Sequence, residues 1–172
     1  GVTAKVGKTS CGSVTFINSN TILKCVLNSG TGSGLNIEID VAGTAGVLNS
    51  VFSYVPPQLT SIFGRSNAPP AGGVLMTIVG SNFGLSEDSP AVFVGLTKAF
   101  VTNWQSHTSI IIRPNGGHGS SPTLKLEVAS QESFLSLRFS FDAAQVSSVS
   151  SAFVLLPVSG ARIVSVVGQN FG

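Results

Sequence analysis

The residues able to do chemistry are few and poorly placed for it. His107 and His118 are the only histidines, and neither has a second ligand-type residue at the spacing a metal site requires. His118 sits in Pro114-Asn115-Gly116-Gly117-His118-Gly119, a turn by composition, and reads as a solvated loop residue. Glu87-Asp88 could hold calcium only if carbonyls converged on it. That ion needs about six to eight oxygens, and no ligand-rich pattern follows, so the pair reads as part of a hydrated loop. Serine is plentiful, yet no Gly-x-Ser-x-Gly elbow presents one as a nucleophile. Gly30-Thr31-Gly32-Ser33-Gly34 lacks the Lys-Ser/Thr that would make a phosphate cradle of a glycine loop. Catalysis has no candidate site, and neither a cofactor nor a metal is expected.

Composition points to an unusual surface instead. Charged residues are 9% of the chain against a typical share of about 25%, so Ser, Thr, Asn and Gly must build the exterior. Such a surface repels its own kind weakly, which favours repeated self-contact, sugar attachment or packing into an assembly. The basic residues Lys5, Lys8, Lys24, Arg65, Lys98, Arg113, Lys125, Arg138 and Arg162 are scattered, and nucleic-acid binding needs a basic stripe. No apolar run reaches the roughly 18 residues of a membrane span. Without an initiator Met or a signal-like start, the chain reads as a mature or excised piece.

The elements that would position any site are short strands. Residues 2–7, 14–17, 21–27, 35–41 and 50–55 are rich in Val, Ile, Thr and Phe and are separated by Gly, Asn and Ser. Leu35, Ile37, Ile39 and Val41 alternate with Asn36, Glu38 and Asp40, as a strand with one dry and one wet face does. Pro56-Pro57 ends this stretch. Strands are then expected at 59–63, 74–79, 91–94, 99–104, 109–113, 123–129 and 135–141, and again at 146–149, 153–156 and 162–167. Glu127 falls on a wet face, and Trp104 is expected to pack rather than to bind. No sustained 3.6-residue period appears, so little helix is expected.

One stretch occurs twice. Val79-Gly80-Ser81-Asn82-Phe83-Gly84 returns 88 positions later as Val167-Gly168-Gln169-Asn170-Phe171-Gly172. Lys5-Val6-Gly7 answers Phe93-Val94-Gly95 at 88, while residues 37–41 answer 124–128 and Phe52-Ser53-Tyr54 answers Phe139-Ser140-Phe141 at 87. The first copy lacks its opening, the second is whole, and the third has only its opening. Three parts follow: 1–56, a module lacking its first strands; 57–143, a complete module; and 144–172, the opening strands of a further one.

Pro57-Gln58-Leu59-Thr60-Ser61-Ile62, residues 71–84, Val92-Phe93-Val94-Gly95, Ile110-Ile111-Ile112-Arg113-Pro114 and Phe139-Ser140-Phe141 stand in an order and spacing that resembles an IPT/TIG domain, the immunoglobulin-like module of plexins and related ectodomains. The resemblance covers 57–142 as one module, with the motif residues Gly80, Asn82, Phe83 and Gly84 repeated as Gly168, Asn170 and Gly172 around Phe171. It implies an all-β fold of tandem immunoglobulin-like sandwiches, one complete and one split between the N- and C-terminal ends, with Greek-key connections. It also implies a disulfide between Cys11 and Cys25, because family members often carry cysteines at these places. The second copy departs from that pattern, with Ala99 and Arg113 as the equivalents. Such a bridge would persist only in an oxidising compartment, so the expected location is extracellular or at the cell surface.

The function these readings favour is structural: a unit of an extracellular fibre or surface appendage whose main partner is itself, head to tail. Ile163, Val164, Val166, Val167 and Phe171 are the candidate self-assembly residues. Either they are donated to the next subunit's incomplete sandwich, or the polypeptide continues as a tandem array. The alternative is a ligand-binding or adhesion module of a cell-surface receptor. An accessory domain of a carbohydrate-active enzyme would need a catalytic neighbour, and a Rel-type DNA-binding role conflicts with the scattered basic residues. No Asn-x-Ser/Thr sequon occurs, whereas serines in 147–151 could accept O-linked glycans.

Overall fold

The computed structural model describes residues 1–18, 21–85, 88–136, 139–151 and 163–171. The fold is all-β, and among the described residues no helix is long and apolar enough to cross a membrane.

The N-terminal part is a single five-stranded sheet. Strands β1 (Val2–Val6), β2 (Thr9–Asn18), β3 (Ile22–Leu27), β4 (Leu35–Val41) and β5 (Thr44–Phe52) lie in the order β3-β2-β1-β4-β5. Two-residue turns set its registers. Ala42 and Gly43, at φ 52° and 91°, join Val41 to its partner Thr44, as positive φ at both central residues requires in a hairpin that follows strand twist. The sequence pattern placed the last strand at 50–55, but β5 begins at Thr44. Gly46 and the Ala-Gly turn hid its first half.

The next part is a complete sandwich. It contains β6 (Gln58–Phe63), β7 (Asn67–Ala68), β8 (Met76–Ser81), β9 (Ala91–Val94), β10 (Thr97–Lys98), β11 (Val101–Ser106), β12 (Ser109–Arg113), β13 (Thr123–Val128), β14 (Gln131–Ser136) and β15 (Ser140–Phe141). One sheet runs β11-β12-β8-β6 and the other β10-β9-β13-β14, while β15 pairs in parallel with β7. Alternate residues of both sheets fill one core: Met76, Ile78, Ile110 and Ile112 from the first, Val92, Val94, Leu124, Leu126 and Val128 from the second. Phe83, Phe139 and Phe141 complete it, with Trp104 packed at its margin. The strand expected at 135–141 is two elements, β14 and β15. The turn before β14 uses Ala129 and Ser130 at φ 46° and 64°, a pair without the usual Asn-Gly signature.

The last part is a hairpin of β16 (Gln145–Ser151) and β17 (Val164–Gln169), a separate two-stranded sheet. The strand expected at 153–156 lies outside the described residues.

Candidate functional site

The hairpin reproduces the pairing of β6 with β8. In the sandwich, Gln58 pairs with Ser81 and Leu59 with Gly80; an irregularity follows, and Ser61 then pairs with Val79 and Ile62 with Ile78. In the hairpin, Gln145 pairs with Gln169 and Val146 with Gly168; the same irregularity follows, and Ser148 then pairs with Val167 and Val149 with Val166. Side-chain details repeat as well. Asn82, at φ 58°, donates through its amide to the Pro56 carbonyl at 3.2 Å, and Asn170, at φ 62°, donates to the Ala143 carbonyl at 3.1 Å. At Gly80 an added Cβ would run into the Gln58 carbonyl and the Phe83 ring; at Gly168 it would run into the Gln145 carbonyl and the Phe171 ring. Each glycine is therefore required by the aromatic that folds back over it. Gly172 lies outside the described residues.

What differs is burial. Ile78 and Phe83 are fully buried, whereas Val166 and Phe171, their counterparts, are 49% and 54% exposed. Val164 and Val166 share the face that Met76 and Ile78 present to the core, while Ile163 and Val167 belong to the opposite face. Val146 and Val149 are also exposed. Among the described residues, the hairpin keeps the β6–β8 register with no core beneath it.

The N-terminal sheet shows the converse. Val6 pairs with Ile37 and Ala4 with Ile39, matching Val94 with Leu124 and Val92 with Leu126 in the sandwich. Yet Val41 is 51% exposed where Val128 is 1% exposed, and Val47 and Leu48 are exposed too. Strand β12 lies between β11 and β8, but β3, its counterpart, is the outermost strand of its sheet. Cys11 on β2 and Cys25 on β3 form a disulfide with their Cα atoms 5.6 Å apart. Strand register corrects one equivalence. The irregularity at Phe16 and Asn18 matches that at Trp104 and Ser106, which sets Cys25 against Ile112 rather than Arg113.

Residues 57–141 match the profile of the IPT/TIG domain. This stretch is an IPT/TIG domain. Among solved structures, one described as a crystal structure with a xylogluco-oligosaccharide is 18% identical, with a TM-score of 0.52, over 98% of this chain and 41% of that one. SGBP-B from a complex xyloglucan utilization locus in Bacteroides uniformis is 12% identical with a TM-score of 0.41, over 92% of this chain and 49% of that one. SGBP-B from the Bacteroides ovatus mixed-linkage glucan utilization locus, in complex with a mixed-linkage heptasaccharide, is 17% identical with a TM-score of 0.37, over 93% and 44%. The chain spans between two fifths and one half of each. The first shares the fold.

The IPT/TIG domain is joined to the N-terminal sheet by a polar clasp that sequence did not reveal. Gln131, the one buried polar side chain among the described residues, accepts from the Gly32 amide at 3.2 Å and donates to the Tyr54 carbonyl at 2.9 Å. The Thr31 hydroxyl donates to one Asp88 oxygen at 2.8 Å, and the Leu85 amide donates to the other at 2.6 Å. Asp88 is thus engaged by the protein itself, and Glu87 lies outside the described residues. Among the described residues no three His, Cys, Asp or Glu converge as metal ligands, and His107 and His118 join no such group. Glu38 pairs with Lys5 at 3.0 Å, and Lys125 pairs with Glu132 at 2.9 Å and Glu127 at 3.4 Å, all on the outer faces.

Proposed function

We propose that the chain is a structural unit of an elongated extracellular assembly of IPT/TIG modules, in which residues 1–56 and 144–172 are complementary parts of one sandwich completed between successive units. The observation behind this reading is the pairing of deficits. A hairpin folded in the register of β6 and β8 exposes the residues that should face a core, and a sheet with the matching register lacks that hairpin. Val146, Val149, Val164, Val166 and Phe171 are only about half exposed in the hairpin, so burying the remainder would contribute on the order of 1 kcal/mol per side chain. Together these are comparable to the roughly 4–15 kcal/mol lost on association, so the main-chain ladder and the apolar residues of the acceptor sheet must supply the surplus. A head-to-tail contact whose rotation does not close yields a filament. The disulfide supports residence in an oxidising compartment. No catalytic role is assigned.

Denaturing mass measurement on unreduced material, paired with electron microscopy of the same material, tests the reading. Filaments that dissociate to 17.6 kDa chains mean discrete subunits. A far larger mass from native material means one continuous tandem-repeat polypeptide. Monomers without filaments at any concentration contradict both.

A ligand-binding surface module is the second reading. Its support is the fold shared with a structure holding a xylogluco-oligosaccharide, together with an exposed Phe100 beside Lys98, Asn103 and Trp104 at the rim of a shallow depression. Retention on immobilised β-glucans that disappears in Phe100→Ala would favour it.

A further inference from the structure

Resting on the ligand-binding reading above, we propose that the depression beside β10, β11 and Pro90 of the IPT/TIG domain is a site for a neutral saccharide, which stacks on Phe100 and places one hydroxyl between the Trp104 indole N–H and the Thr102 hydroxyl. Among the described residues, Trp104 Nε1 and Thr102 Oγ1 are the two buried side-chain polar atoms that no protein group pairs. Buried polar groups are ordinarily hydrogen-bonded, and each one left unpaired costs stability. Both belong to residues that line this one depression.

The other copy of the repeat shows that the fold does not need them. Strand register sets Trp104 against Phe16, Thr102 against Val14 and Phe100 against Gly12, all 88 positions apart. Where the N-terminal sheet has an aromatic without a donor, an aliphatic residue the shape of threonine and no side chain, the IPT/TIG domain has an indole N–H, a hydroxyl and an exposed ring. The three differences fall where the chain crosses between sheets. The Ala99 amide donates to the Val92 carbonyl of one sheet at 2.8 Å, and the next amide, that of Phe100, donates to the Arg113 carbonyl of the other at 2.9 Å. In the N-terminal sheet β2 runs through the same place unbroken. Beside the crossing, the outermost strands β10 and β11 flank an opening of about 520 Å³, within the roughly 300–1,000 Å³ of ligand pockets.

Ligand chemistry follows from the groups. Phe100 is 73% exposed and offers a flat apolar face. An indole N–H only donates, whereas a threonine hydroxyl donates or accepts, so one ligand hydroxyl that accepts from the first and donates to the second satisfies both. Lys98 and exposed Asn103 serve further hydroxyls at the rim. Among the described residues no carboxylate lines the depression, which disfavours a cation. The pyranose rings of a β-linked glucan combine an apolar C–H face with hydroxyls around its edge, as these groups require. Because both unpaired atoms are closed to water, the ligand reaches them by turning the Ala99–Phe100 crossing outward, a segment that belongs to no strand.

Trp104 is the only tryptophan, so titrating the full chain with cellohexaose reads the site directly through its fluorescence and its indole proton resonance. The expected result is a saturable change in both, the proton moving downfield as it gains an acceptor, and loss of both changes in Phe100→Ala. Thr102→Val, which installs the residue of the first copy, should unfold at a urea midpoint no lower than that of the parent chain and bind about tenfold more weakly. Retention on immobilised β-glucan with the Trp104 signals unmoved, or Thr102→Val binding as tightly as the parent, would overturn the site while sparing the ligand-binding reading. A lowered midpoint in Thr102→Val would mean that the hydroxyl is paired within the domain, and would overturn the inference as well. Neither retention nor any change at Trp104 would overturn inference and reading together.

Discussion

At Gly80 an added Cβ would lie 2.6 Å from the Phe83 ring and overlap the Gln58 carbonyl, and backbone offers no flexible end to move aside. Gly80→Ala should therefore cost the IPT/TIG domain roughly 3 kcal/mol, read as a lower urea midpoint. Gly168→Ala should leave that midpoint unchanged and impair self-association instead, because the same clash then falls on Phe171 in the hairpin. These residues were legible because the chain repeats them. Gln131 was not, since its partners Gly32 and Tyr54 lie 99 and 77 positions away and nothing local marks a buried amide. Gln131→Leu should leave one donor and one acceptor unpaired and cost about 1–3 kcal/mol per group. Faster hydrogen exchange at the Gly32 amide would locate the loss at the clasp.

Among the elements, those with clean alternation (β4, β13) or a short apolar run between turn residues (β9, β12) fall within a residue or two of the expected strands. Those that follow turns without Asn-Gly were displaced. The Ala129-Ser130 turn moved β14, and the Ala42-Gly43 turn moved β5. β2 illustrates a different failure. In the IPT/TIG domain the chain breaks between β10 and β11 as it passes from one sheet to the other, whereas the first copy runs through the same place as one ten-residue strand. The cross-link on that strand makes a sharp expectation. Cys11→Ser with Cys25→Ser should cost roughly 3 kcal/mol in loop-closure terms and raise exchange in β2 and β3. Equal loss of protection in β8 and β12 would contradict the local assignment.

At the scale of the whole molecule, the described residues hold one finished sandwich flanked by a lone sheet and a lone hairpin. The repeat offset made this division visible before any geometry, because it depends on order alone. Which faces stay open could not be read the same way, since that requires knowing what pairs with what. If the parts complete one another between copies, Val164→Asp and Val166→Asp should each abolish filaments in negative-stain images, because either carboxylate would enter a core unpaired. Ile163→Asp, on the opposite face, should be tolerated. Filaments unchanged in both of the first two variants would refute donated strands.

The irregularity shared by the two hairpins reaches into inheritance. Because it recurs at equivalent positions, a crossover between misaligned repeats would rejoin the chain with every inward residue still inward. If the modules recur along one longer polypeptide, its gene can gain or lose whole periods without passing through a misfolded intermediate, and lengths among close relatives should differ by multiples of one repeat rather than by fractions of it.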